Sequence, residues 1–274
     1  MARDLTKEYP FQRILNNSYD ADGNFIYTSD VELDIAAGRV SNLSFVEKFG
    51  ENPEIDTSGD LAAPADIWSY GGLYNFSTTA DIDTISSSDA GDTQEMVVEG
   101  LDSNWEQVTQ TATLDGQNKV TLSTPLIRCF RVYNGNSSET SGDVYVYVDG
   151  TVTGGIPDTA ADVRALVKAE AQQTEMAIYT IPAGKTGYFL GGYVALSGKS
   201  NVNAVFTSRI RLDGGVFRVV SRIACLATGS SSWSYRYPQA LPLPAKTDLL
   251  LRVDSVSAND TACSGGFTII LEDA

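Results

Sequence analysis

Residues Asp143–Gly150 read DVYVYVDG. Successive side chains of an extended strand point to opposite sides. Val144, Val146 and Val148 therefore fall on one face, and Tyr145 and Tyr147 on the other. Branched and aromatic residues suit a pleated surface, and Asp and Gly close the run at its ends. This is a strand, and the same pattern spreads outward from it. Upstream, Met96–Thr124 reads as strand, turn and strand, followed by Asp115-Gly116 as a hairpin signal and then another strand. Thr109, Thr111 and Thr113 alternate there with Gln110, Ala112 and Leu114, which predicts one wetter face. Downstream, Ala177–Gly198, Ala204–Gly229 and Lys246–Ser255 hold branched or aromatic runs ended by Gly, Asp or Ser. Asp213-Gly214-Gly215 is a hairpin centre between Arg209–Leu212 and Val216–Val220. Thr159–Ala171 has helix-favouring Ala and Lys, but Val163–Ala171 also alternates, and the strand reading is preferred.

Short strands separated by turn signals at about 8–12 residue intervals predict an all-β protein of sandwich or jelly-roll type. Three regions are expected. Residues 1–60 form an extended N-terminal arm, because Pro10, Asn16-Asn17, Asp20–Asn24 and Gly50–Pro53 repeatedly interrupt the apolar pattern. Residues 61–155 form an acidic β-sandwich, and residues 156–274 a second β-sandwich or jelly roll. The boundary is placed within Asp149–Ala160, where Gly, Pro and Thr accumulate.

Charge marks the same boundary. Residues 1–150 carry 8 Lys+Arg against 25 Asp+Glu, a balance of −17; residues 151–274 carry 11 against 10, a balance of +1. An acidic half repels phosphates and anionic lipid headgroups, and no basic block elsewhere compensates, so neither nucleic acid nor membrane is expected as a partner. No apolar run approaches the length that crosses a bilayer. The start MARDLTKEYPFQRIL lacks the apolar core of a secretory signal, which predicts synthesis in a host cytoplasm without a signal peptide.

The chain contains no histidine. That removes the Ser-His-Asp, Cys-His and His-metal constellations together and points to a protein that binds or builds rather than catalyses. Cys129, Cys225 and Cys263 are too scattered for a disulfide framework or a CxxC site and are expected as buried thiols. No catalytic residue, cofactor site or metal site is predicted. Gly184-Lys185-Thr186 and Gly198-Lys199-Ser200 share the end of a phosphate loop, but Tyr179 and Tyr193 stand where its first glycine is needed, so both read as hairpin turns. Tyr19–Asn24 echoes a calcium loop without the closing glutamate, since Val31 stands there. Asp81 and Asp83 could pair on one face of a strand, but with no pocket in view an exposed edge is expected. The aromatics Trp68, Tyr70 and Tyr74, and Trp233, Tyr235 and Tyr237, fit either a sandwich core or a recognition surface.

Three stretches carry a family resemblance: Ser44–Asp56 (SFVEKFGENPEID) with Asp66–Gly72 (DIWSYGG), Val97–Gly116 (VVEGLDSNWEQVTQTATLDG), and Ile181–Tyr188 (IPAGKTGY). Their order resembles virion structural proteins of tailed bacteriophages, especially those of aquatic bacteria and cyanobacteria. The resemblance implies a location in the virion and no catalytic residues. Combined with the arm, it leads to the expectation of a capsid decoration or cement protein. Its partners would be the major capsid protein and further copies of itself, with a trimer suiting a symmetric shell. Phe45, Phe49 and Ile55 are expected to anchor the arm on a neighbour, with Trp68, Trp233 and Tyr235 as further interface residues. A neck, tail or fibre-base ring is the alternative station. A carbohydrate-binding module stacking glycans on the Trp233–Tyr237 aromatics is the alternative of another class.

Overall fold

The computed structural model describes Ser18–Tyr19, Phe25–Ile26 and residues 31–273. The first strands are β1 (Ser18–Tyr19), β2 (Phe25–Ile26), β3 (Leu43–Ile55), β4 (Ala65–Asp66), β5 (Ile82–Ser87), β6 (Glu95–Leu101), β7 (Gln107–Thr113), β8 (Val120–Leu126) and β9 (Arg128–Asn134). They continue as β10 (Val144–Val148), β11 (Val152–Thr153), β12 (Ile156–Pro157), β13 (Val163–Val167), β14 (Ile178–Thr180), β15 (Lys185–Arg211), β16 (Arg218–Leu243), β17 (Asp248–Val256) and β18 (Thr261–Asp273). A short helix, α1 (Val31–Ala36), precedes β3. The protein is all-β, as expected.

The longest strands organise the fold. β15 and β16 form one antiparallel hairpin, of 27 and 26 residues, around the predicted Asp213-Gly214-Gly215 turn. On the other side of β15, β17 pairs with Ala204–Arg211 and β18 with Lys185–Ser197, so the two lie end to end along one edge. The ladder with β16 shifts register between Ser197 and Asn201, and Gly229 opposite has φ +111°. An irregularity of this kind bends a strand and lets one ribbon turn between two directions. Gly198-Lys199-Ser200 accordingly lies within β15 rather than in a hairpin turn, whereas Ala183-Gly184 does form a turn.

Two apolar cores result, and one wall separates them. Ala177, Tyr179, Leu249 and Leu251 face the core built mainly on β15, β16 and β18. Ile178 and Leu250, the intervening residues, face the core built on β5–β10 and β13. The run Leu249-Leu250-Leu251 is continuous because this wall is buried on both sides. Each such side chain contributes about 1.5–3 kcal/mol by burial. Tyr147, Val144 and Val146 are enclosed on both faces for the same reason.

Several boundaries differ from the expected ones. Leu43–Ile55 is no arm: β3 pairs with β18 over its length, and Ile55 is fully buried in the first core. Pro53 is tolerated because β3 is an edge strand and its register shifts opposite Thr261–Cys263. Of the rest of the expected arm, Val31–Ala36 form α1, while residues 1–30 apart from β1 and β2 lie outside the described residues, among them Asp20–Asn24 of the calcium-like segment. The Asp149–Ala160 junction holds the small β11–β12 hairpin, and β10 and β13 pair directly across it. The charge boundary is therefore not a structural boundary. Asp115-Gly116 makes the predicted turn, with Gly116 at φ +55°, but the strands it joins pair elsewhere: β7 with β6, and β8 with β5. The turn carries the chain from one sheet to another. Val163–Val167 is a strand after a single 3-10 turn, as the alternation predicts.

Candidate functional site

The hairpin places one feature in the open. Among the described residues β16 pairs only with β15, which leaves its other edge without a strand partner over 26 residues. This strand carries Arg218, Arg222 and Arg236 and no carboxylate, in a chain of net charge −16. Arg222 reaches Asp254 at 3.0 Å, and Arg236 pairs with Glu32 of α1. At the bend, Arg222–Leu226 and Ser231–Trp233 line one concavity. Leu226 (64% exposed) and Trp233 (51% exposed) are its apolar walls.

The predicted interface residues separate into two sets. Ile55 and Trp68 are core residues and cannot anchor a partner. Trp68 is enclosed because its ring meets Tyr74 edge-on at 5.0 Å, and its indole N–H donates to the Gly72 carbonyl at 3.2 Å. The other four belong to one sheet, Phe45 and Phe49 on its outer face and Trp233 and Tyr235 on the face that carries the first core. Trp233 stacks on Tyr235 with centroids 6.1 Å apart and an angle of 22°. Tyr235 is half-buried, shares a 2.6 Å hydrogen bond with Ser208 and meets Phe189 edge-on, so only Trp233 offers a free ring. Phe45, Glu47, Thr268, Ser234 and Arg236 are among the residues lining a groove of about 350 Å³ that crosses the outer face of the sheet from β3 to β16. Gly191 and Gly192 lie along that groove, and a Cβ on Gly191 would sit 2.3 Å from the Tyr235 carbonyl oxygen.

Phe45 and Phe49 also line a second cleft, about 330 Å³, between the edge strand β3 and the sheet formed by β6, β7 and β9. Lys48 is buried here, with its Nζ donating to the Phe130 carbonyl. Desolvation lowers its pKa to about 8. Nothing in SFVEKFG marks this lysine as buried. Only its inward alternation between the outward-facing Phe45, Glu47 and Phe49 could have indicated it.

The remaining predicted features are structural. Cys129, Cys225 and Cys263 are buried free thiols. Asp83 accepts a hydrogen bond from Thr84 and Asp81 one from Thr79, and both side chains are part-buried rather than on an exposed edge. Glu54 and Asp56 at the end of β3 and Asp260 in the β17–β18 connection bring carboxylate oxygens within 4.8 Å of one another, and Asp56 accepts the Asp260 N–H at 3.0 Å. No described helix is long and apolar enough to cross a membrane.

No protein-family model matches the chain, and no curated protein is significantly similar to it. Solved structures similar to it include infectious bursal disease virus, Gt strain, at 13% identity and TM-score 0.24, covering 85% of this chain and 73% of the other. The VP2 subviral particle of the same virus aligns at 10% identity and TM-score 0.21, over 85% and 72%. The PBSX exported protein XepA aligns at 10% identity and TM-score 0.17, over 93% and 94%. At these TM-scores none establishes a common fold.

Proposed function

We propose that this chain is a virion structural protein, specifically a capsid decoration or cement protein that binds the major capsid protein and neighbouring copies of itself. The observation that carries this reading is the open edge of β16. Unpaired strand edges are normally kept short, covered or charged against association. Here the edge is long, bears exposed Trp233 and Leu226 at its bend, and carries three arginines but no carboxylate. Such an edge accepts an added strand through main-chain hydrogen bonds, with the side chains around it setting specificity. Arg222 and Arg236 are paired within the chain, which leaves Arg218 as the β16 cation best placed to meet the acidic residues of a second copy. The ordered motifs resembling phage virion proteins support the same assignment.

The test is electron cryomicroscopy of purified virions with this chain located and its copies counted. Hundreds of copies over the icosahedral shell, with β16 against a neighbouring subunit, are expected. Six or twelve copies at one vertex would move the protein to a neck or tail ring. Absence from the particle would overturn the reading. The glycan-binding alternative rests on Trp233 alone, and quenching of its fluorescence by host polysaccharide is the measurement that would favour it.

A further inference from the structure

We propose that the cleft between β3 and the β6–β7–β9 sheet is a binding site for a small organic carboxylate carried on an apolar body, held by Lys48 and Tyr179. Two buried donors at this cleft have capacity that the fold leaves unused. Lys48 has three N–H donors; its Nζ donates to the Phe130 carbonyl and lies 6.0 Å from the Phe130 ring centre. It forms no ion pair among the described residues. Tyr179 is 2% exposed, and its Oη has no hydrogen-bond partner there. Its ring lies 4.8 Å from the Phe130 ring, so both donor residues neighbour the same aromatic side chain and line the same cleft. A buried hydroxyl without a partner costs about 1–3 kcal/mol, and a buried ammonium without a counter-charge costs more.

The charged side chains lining the cleft are Glu47, Lys48, Glu99 and Arg131, two of each sign, so their pairing decides what the site can take. Glu99 on β6 lies 3.6 Å from the Arg131 guanidinium on β9. Glu47 alternates to the exposed face of β3, and the Cys129 thiol is held neutral by burial. Lys48 has no carboxylate within ion-pair distance among the described residues, although Glu99 across the cleft favours its charged form. A carboxylate entering the cleft would accept from Lys48 and Tyr179, with the Phe130 ring beside it and Phe45 and Phe49 at the rim, since they alternate outward from Lys48 along β3. A volume of about 330 Å³ suits a single small ring better than an extended chain.

Benzoate titrated into the full chain, followed by isothermal calorimetry, tests the site; benzamide is the neutral control. Benzoate is expected to bind, benzamide much less, and affinity should fall as pH rises past about 8, where free Lys48 loses its proton. Tyr179→Phe removes only a hydroxyl that has no internal partner, so it should fold normally and weaken benzoate by about tenfold. Lys48→Met should abolish the difference between benzoate and benzamide. Absence of benzoate binding at millimolar concentration, equal binding of benzamide, or an unchanged affinity in Tyr179→Phe would each overturn the proposal. None of these outcomes depends on where the protein sits in a particle.

Discussion

Asp248 shows how much of this fold hangs on single buried charges. Its Oδ1 accepts from Arg128 Nε at 2.8 Å and Thr180 Oγ1 at 2.6 Å. Its Oδ2 accepts from Arg128 at 3.2 Å and twice from Arg211, at 2.8 and 2.6 Å. One carboxylate thus ties β9, β14 and β15 to the start of β17. Arg128 is itself sandwiched, 4.8 Å from the Trp105 ring and 5.1 Å from Phe76. Breaking a buried pair leaves the surviving charge uncompensated. Asp248→Asn, which preserves shape and removes the charge, is therefore expected to cost about 3–5 kcal/mol in urea unfolding. A midpoint within error of the parent protein would show that the arginines find other acceptors. None of this is legible in KTDLLLRVDS, where Asp248 looks like the turn residue that opens a strand.

At the level of elements, alternation and turn chemistry located most strands, because both are local properties of the chain. Partner choice was less accessible. Asp115-Gly116 has the chemistry of a hairpin and makes a turn, yet β7 and β8 separate into different sheets. The reason is burial: Ala112 and Leu114, from β7 and just beyond it, and Leu122 and Leu126 of β8 all face one core from two sheets. A two-stranded ladder between them would not enclose that core. The β15–β16 ribbon depends in the same way on particular glycines. Gly191 has φ +144°, at the bulge where β15 skips register against both β16 and β18. Gly191→Ala places its Cβ against the Tyr235 carbonyl and is expected to destabilise by about 1–3 kcal/mol. Loss of the ordered Tyr235 environment in near-ultraviolet circular dichroism should accompany it. An unchanged melting curve would mean that the ribbon shifts to accommodate the methyl group.

For the whole molecule, the decisive fact is that the two cores share β14 and β17. Chain order does not divide them: Leu101, Ile127 and Phe130 belong to the first core, whereas Val163, Met176 and Leu250 belong to the second. Truncation should expose this interdependence. Both cores draw on residues from Ile55 onward, so deleting residues 1–30 is expected to leave one cooperative unfolding transition. Deleting residues 1–60 removes β3, uncovers the outer edge of β18 and takes Ile55 from the first core. That variant should lose tertiary structure rather than behave as a folded protein without its arm. Thermal melts of the two truncations, followed by near-ultraviolet dichroism, distinguish these outcomes; equal stability would place β3 outside the cooperative unit.

The amino-acid sequence by itself determined the all-β class, the Asp213–Gly215 hairpin, the strand at Val163–Val167 and the burial of the three cysteines. These follow from side-chain alternation, turn residues and polarity, which act over a few residues. The tertiary structure alone decided that Ile55 and Trp68 are core while Trp233 is exposed, that β10 meets β13 across the charge boundary, and that Lys48 and Tyr179 line one cleft. Those outcomes depend on which surfaces meet after long loops close. An apolar or aromatic side chain gains the same free energy by burial against any suitable partner, so its local sequence does not specify which partner it finds.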